Sequence, residues 1–206
     1  MSYLDRVLHD GEDRDSWLVA REPGIGASDA AHFARMEAAP KYVDAKLKPS
    51  TFRGNETTEN GHIWEPDILA WVGIRQNKRL FHHPDEIGFT ATPDGVIDEP
   101  HVAGIRLAEI KVKHNKIVYG PTPAEFRQVA WQLLVLPEAH CVEWAWGELV
   151  RDSEGRWILR DDSPKKITYW QDDAAIVAAQ KLLVPIATAV LAGMRQRRNL
   201  KESAGF

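Results

Sequence analysis

The segment Gly104-Ile105-Arg106-Leu107-Ala108-Glu109-Ile110-Lys111-Val112 constrains the fold more than any other part of the chain. Ile105, Leu107, Ala108, Ile110 and Val112 make a short apolar run of the length of a strand buried on both faces. Glu109 and Lys111 interrupt it. Side chains two apart on a strand share a face, so these two project together while Ile110 packs behind them. Glu-x-Lys is ordinarily a solvated face, but charges on a central strand need partners or a metal ion. The segment therefore predicts a sheet with a polar centre set into it.

The surrounding pattern predicts helices, then a sheet, then helices. Arg14 to Arg21 reads as a first helix, and the loop Glu22-Pro23-Gly24-Ile25-Gly26 leads to a second that starts near Ser28. Lys41 to Asn55 is mixed in character. Thr57 to Arg75 has helical spacing at Ile63, Trp64, Ile68, Leu69, Trp71 and Val72, with Pro66 expected to kink the helix or mark its start. Arg79 to His83, Gly88 to Ala91 and Val96-Ile97 are short strand candidates, as are Cys141 to Leu149 and Trp157 to Leu159. Thr122 to Leu136 is an amphipathic helix opened by Pro123. Asp172 to about Arg198 forms a long C-terminal helix whose acids and arginines suit its dipole. The expectation is one α/β (α+β) domain over 1–206, with a central mixed sheet flanked by helices and a C-terminal helix at 172–198.

Composition limits the chemistry. With 206 residues the chain can bury a sizeable core, and 44% hydrophobic against 27% charged residues is ordinary for a globular protein. The single cysteine, Cys141, excludes a disulfide framework and any site of several thiolates, a four-cysteine iron–sulfur cluster included. It points to a reducing compartment. Early charges at the N-terminus leave no signal-peptide core, and Gln180, Lys181 and Pro185 break the apolar stretch 174–192, so no membrane partner is expected. The net charge of −4 argues mildly against a DNA partner, yet Lys111, Lys113, His114 and Lys116 cluster, as do Arg195, Arg197, Arg198 and Lys201.

Thr92-Pro93-Asp94-Gly95 has turn chemistry, and that alone would account for it. Asp94 also precedes a strand that could lie beside 107–112, with fifteen residues between it and Glu109. Two carboxylates meeting there would give an oxygen-rich site suited to Mg²⁺ or Mn²⁺. Lys111 beside them could orient a water or balance charge on a phosphate.

Ala91-Thr92-Pro93-Asp94-Gly95 followed by Glu109-Ile110-Lys111 resembles the PD-(D/E)xK nuclease motif, and more narrowly the YqaJ-like viral recombinase group that includes the lambda-type phage exonucleases. Further segments fit in order: Trp17, Arg21 and Gly24-Ile25-Gly26-Ala27-Ser28-Asp29; Gly61-His62-Ile63-Trp64-Glu65-Pro66; and Phe126-Arg127-Gln128-Val129-Ala130-Trp131-Gln132-Leu133. The resemblance spans roughly Trp17 to Val150 and implies a restriction-endonuclease-like core. It implies Asp94, Glu109 and the Ile110 backbone carbonyl as ligands of a pair of metal ions, Lys111 as the catalytic lysine, and Glu65 as a metal-site residue. Gln128 would position the water or the lysine. By periodicity alone Glu65 is a helix-start carboxylate, and Gln128 and Gln132 are a polar helix face. Arg21, Ser28 and Thr92 match positions that hold the 5′-phosphate, and Ser28 would also suit an N-cap. The cation that follows Glu-x-Lys in the family has no clean counterpart; Lys113 and Lys116 are nearest.

The function implied is a 5′→3′ exonuclease on double-stranded DNA ends, with a single-strand annealing protein as partner, a ring-shaped homo-oligomer, and a cytoplasmic location in a bacterial host or phage-encoded setting. The alternatives are a RecB-like or restriction-type endonuclease, or a DNA-binding module without catalysis. Clustered carboxylates argue against the last, since they repel unless a cation neutralises them.

Overall fold

A computed structural model of the chain describes residues 2–48, 56–99, 101–102 and 104–203, with the side chains of 56–62 and 201–202 outside that description. Part of the mixed Lys41–Asn55 segment, Pro100, and the side chain of His62 thus lie outside the described residues.

The segment that opened the sequence argument is the strand β5 (Gly104–His114), numbered after β1 (Val7–His9), β2 (Leu80–His82), β3 (Thr90–Ala91) and β4 (Gly95–Glu99). It is central. On one side β4 pairs with it antiparallel, Gly95 opposite Ala108; on the other β6 (Ala139–Arg151) runs parallel, Glu109 opposite Trp144 and Lys111 opposite Trp146. Joining parallel neighbours requires a crossover. Here it carries the helix α5 (Pro123–Val135), capped by Thr122, whose hydroxyl accepts from the Glu125 N–H while Glu125 returns to the Thr122 N–H. Beyond β6 lie β7 (Trp157–Leu159) and β8 (Lys165–Trp170), each pairing β6 antiparallel. A second, three-stranded sheet has the order β1-β2-β3.

The two faces of the large sheet are covered differently. Leu107, Val142, Trp144 and Trp146 belong to the larger core, with α5 (Val129, Trp131, Leu133) and the long helix α6 (Ala174–Ser203), which contributes Leu183, Ile186 and Val190. Trp131 is fully buried, and its indole N–H donates to the Thr90 carbonyl at 2.9 Å. Ala108, Ile110 and Ala145 face the other way, onto Ile68, Leu69 and Val72 of α4 (Glu56–Val72). The smaller helices are α1 (Arg14–Arg21), α2 (Ala27–Ala30) and α3 (Ala39–Leu47).

Some expectations change. Pro66 lies inside α4 and does not start it. The helix survives the lost N–H bond because its apolar residues beyond the proline pack on β5. Ser28 is not an N-cap: Gly26 holds that position in extended conformation, and the Asp29 carboxylate accepts from the Gly26 N–H at 2.8 Å. Strands β1 and β8 stand where none was expected. The span Ala174–Leu200 of α6 is long and apolar enough to cross a membrane by length and composition, although Leu183, Ile186 and Val190 are buried against the rest of the chain.

Candidate active site

The polar centre forms where β4 begins beside the middle of β5. Asp94 is the residue before β4, and its carboxylate accepts the Ile110 N–H at 2.7 Å, which fixes the turn on the strand edge. Pairing of β4 stops at Gly95, so Ile110 is left on an open edge for a side chain to use. A residue's N–H and C=O point to the same side of an extended strand, which aims the Ile110 carbonyl toward the Asp94 side as well. Gly95 is needed for space: a Cβ there would stand 2.7 Å from both Leu69 Cδ2 and Ile74 Cγ2.

Glu109 is 1% exposed and projects from β5 toward α5. One of its oxygens takes the Lys111 ammonium and the other takes the Gln132 side-chain N–H. A buried carboxylate with both oxygens occupied avoids most of the cost of burial. Glu65 lies half-buried on α4, where it accepts from the Gln76 amide at 3.1 Å, and it is close enough to act on the Asp94 charge. Burial pushes the Asp94 carboxyl well above the usual carboxylate range, and the negative charges of Glu109 and Glu65 push it further. For Lys111, burial works against the charge, yet Glu109 and Asp94 outweigh it and hold the amine above its ordinary value.

The donor set suits a hard divalent cation. Asp94, Glu109 and the Ile110 carbonyl supply oxygen only, and the carboxyl of Asp94 is held up first by burial and then by the charges of Glu109 and Glu65, both of which a bound cation would offset. Among the described residues, no three His, Cys, Asp or Glu side chains close into a complete cage. The three oxygens would leave further positions for water and a phosphate.

The glutamine expected at the centre is a different one. Gln128 is half-buried, and among the described residues no hydrogen bond joins it to Asp94, Glu109 or Lys111. Gln132, one helical turn later, is fully buried and reaches Glu109, with its own Oε1 left without a partner.

A second polar group is held on α1 and α2. The Arg21 guanidinium donates to the Ser28 hydroxyl and lies 5.3 Å from the centre of the Trp17 ring. The loop between them is stitched to the strand that leads to Asp94: the Ile25 N–H donates to Gly88 O at 2.7 Å and the Thr90 N–H to Ile25 O at 2.8 Å. Arg127 of α5 ties the same region by donating to Ala31 O at 2.8 Å. Thr92 comes directly after β3, with a buried hydroxyl that lacks a hydrogen-bond partner. Lys116 does not join them. It is exposed beyond Asn115, whose φ of +51° turns the chain away at the end of β5. Lys113 is engaged elsewhere, by Glu125 and over the Trp144 ring.

With this geometry in hand, comparison with solved structures is informative. The chain is similar in fold to an alkaline exonuclease. That enzyme, from Laribacter hongkongensis, superimposes with a TM-score of 0.64 at 18% identity, over 92% of this chain and 99% of the other. Its complex with dAMP gives 0.61 at 21% identity, over 93% and 98%. A phage related exonuclease from Haemophilus somnus 129PT gives 0.51 at 10% identity, over 94% and 93%. By sequence, no family model and no curated relative matches the chain. At such identities the likeness speaks for the fold, and the central mixed sheet flanked by helices expected from the sequence is the fold observed.

Proposed function

We propose that the chain is a divalent-metal-dependent deoxyribonuclease that degrades linear duplex DNA from its ends, in the 5′→3′ direction. The observation that carries this reading is the meeting of Asp94, Glu109 and Lys111 at one strand edge, drawn from two segments that the sequence keeps fifteen residues apart. Exonucleases of the same fold support it.

Asp94, Glu109 and the Ile110 carbonyl would hold Mg²⁺ or Mn²⁺, in one or two ions, with Glu65 supporting from α4. When bound, such ions supply a water of lowered pKa and neutralise charge on the departing oxygen. Lys111 carries a fixed positive charge and presents it beside that carboxylate, where it can hydrogen-bond a phosphate oxygen or orient the attacking water. Gln132 holds Glu109 in the rotamer that faces the edge, a supporting contact of the kind that fixes metal ligands. Arg21 and Ser28 offer a guanidinium and a hydroxyl to a terminal phosphate, and the unpartnered Thr92 hydroxyl adds a third donor from the turn side.

The test compares linear duplexes with 5′-phosphate or 5′-hydroxyl ends against covalently closed circles, in Mg²⁺ or Mn²⁺ and in chelator. Loss of linear duplex alone, fastest from 5′-phosphate ends and absent in chelator, is expected. Digestion of closed circles would overturn the end-directed reading, and digestion in chelator would overturn the metal.

A further inference from the structure

The segment Arg75-Gln76-Asn77-Lys78-Arg79 joins α4 to β2 and carries three cations in five residues. Arg75, Lys78 and Arg79 are all exposed, and among the described residues none of them makes an ion pair. Several other basic groups are paired with acids. In the C-terminal cluster, Arg195 pairs with Glu86 at 2.7 Å, Arg198 with Glu22 at 3.1 Å, and Arg197 with Asp44. Lys111 and Lys113 hold Glu109 and Glu125. The cations of 75–79 thus need no protein partner to be displaced before they can meet a ligand.

These side chains line a cavity of about 380 Å³. Acids border it too, but two of the three are engaged locally. Asp98 accepts from the Tyr3 hydroxyl at 3.1 Å, and Asp10 accepts the Glu12 N–H at 3.0 Å beside His9. The segment is also fastened to the catalytic turn. The Asn77 N–H donates to Asp94 O at 2.8 Å and its side-chain amide to Pro93 O at 2.9 Å; the Val96 N–H donates to Arg75 O at 3.0 Å. Gln76 holds Glu65. Two residues of the candidate centre are therefore bonded directly to the basic segment, which fixes its cations relative to the carboxylates.

We propose that the 75–79 segment grips the phosphodiester backbone of the DNA substrate immediately beside the scissile bond. The inference rests on the nuclease reading above and adds to it a backbone track on the α4 side of the centre. Unpaired cations at a fixed offset from the carboxylates give register along the strand without reading sequence, which is the work of phosphate contacts.

The test measures binding of a fluorescent, 5′-phosphorylated linear duplex by anisotropy between about 50 and 200 mM KCl, in a Lys111→Ala background so that the DNA stays intact. In the triple variant Arg75→Gln, Lys78→Gln, Arg79→Gln, the plot of log affinity against log salt should become shallower by about 2 to 3, close to one per lost contact. Each single variant should lose about one, which keeps the idea testable if the triple variant folds poorly. Arg75→Lys with Arg79→Lys, which retains charge, should keep the parent slope. A parent that binds DNA while the neutral variants keep its slope and affinity would overturn the track alone. A parent that binds no DNA at any salt would overturn the nuclease reading and the track with it.

Discussion

Asp94 shows how much can rest on one carboxylate. Its oxygen fixes the Ile110 N–H, yet burial and the charges of Glu109 and Glu65 keep its carboxyl well above the ordinary range. A raised acid means that the folded protein holds a proton the unfolded chain gives up near pH 3.9. Stability from this group is therefore fully present below that pH and is lost as pH rises toward the folded value. Asn in its place can still accept from Ile110 and never ionises. Melting of metal-free Asp94→Asn and wild-type protein across pH 4 to 8 should give a Tm difference in favour of the variant that widens with pH. A difference that is flat or of opposite sign would show that the crowding is not there. The same variant should lose cleavage, since the group that destabilises the empty site is the one that would hold the ion.

Helix α5 carries the correction that matters most for the site. Its start was legible in Thr122-Pro123 and Glu125, and the cap forms as those residues require. Its faces were not. Periodicity places Gln128 and Gln132 on one polar stripe, whereas Val129 to Leu133 are all buried between the sheet, α2 and α6. A helix packed on several sides has no solvated stripe to read, so a buried glutamine looks like a surface one. Because Gln132 reaches Glu109 and Gln128 does not, Gln132→Ala should slow single-turnover cleavage by about 10- to 100-fold, the usual cost of losing a ligand's supporting contact. Gln128→Ala should cost far less; equal losses would return the role to Gln128. Strands β1 and β8 escaped the sequence for a related reason. Val7–His9 has three residues, and Lys165–Trp170 opens with two lysines, so each gains its strand character from a partner far along the chain. The core strand β5 was legible because its apolar run says by itself that it is covered on both faces.

At the scale of the whole molecule, a net charge of −4 hides an uneven distribution. Several acids pair with cations: Glu143 with Arg106 and Lys166, Glu148 with Arg160 and Lys165, Glu86 with Arg195. The C-terminal basic cluster is paired as well, Arg195 with Glu86, Arg197 with Asp44 and Arg198 with Glu22. Among the described residues, Arg75, Lys78 and Arg79 make no ion pair, and their segment is bonded to Asp94 and Glu65 of the candidate centre. Catalytic and binding charges are thereby separable: Lys111 faces Glu109 inside the site, while backbone contacts lie outside it. The most direct measurement is cleavage and binding of a 5′-labelled linear duplex by wild type and Lys111→Ala in Mg²⁺. Cleavage should disappear in the variant while its affinity for the duplex stays within a few-fold of wild type. Cleavage that persists undiminished in Lys111→Ala would contradict the assignment of Asp94, Glu109 and Lys111 as the active centre.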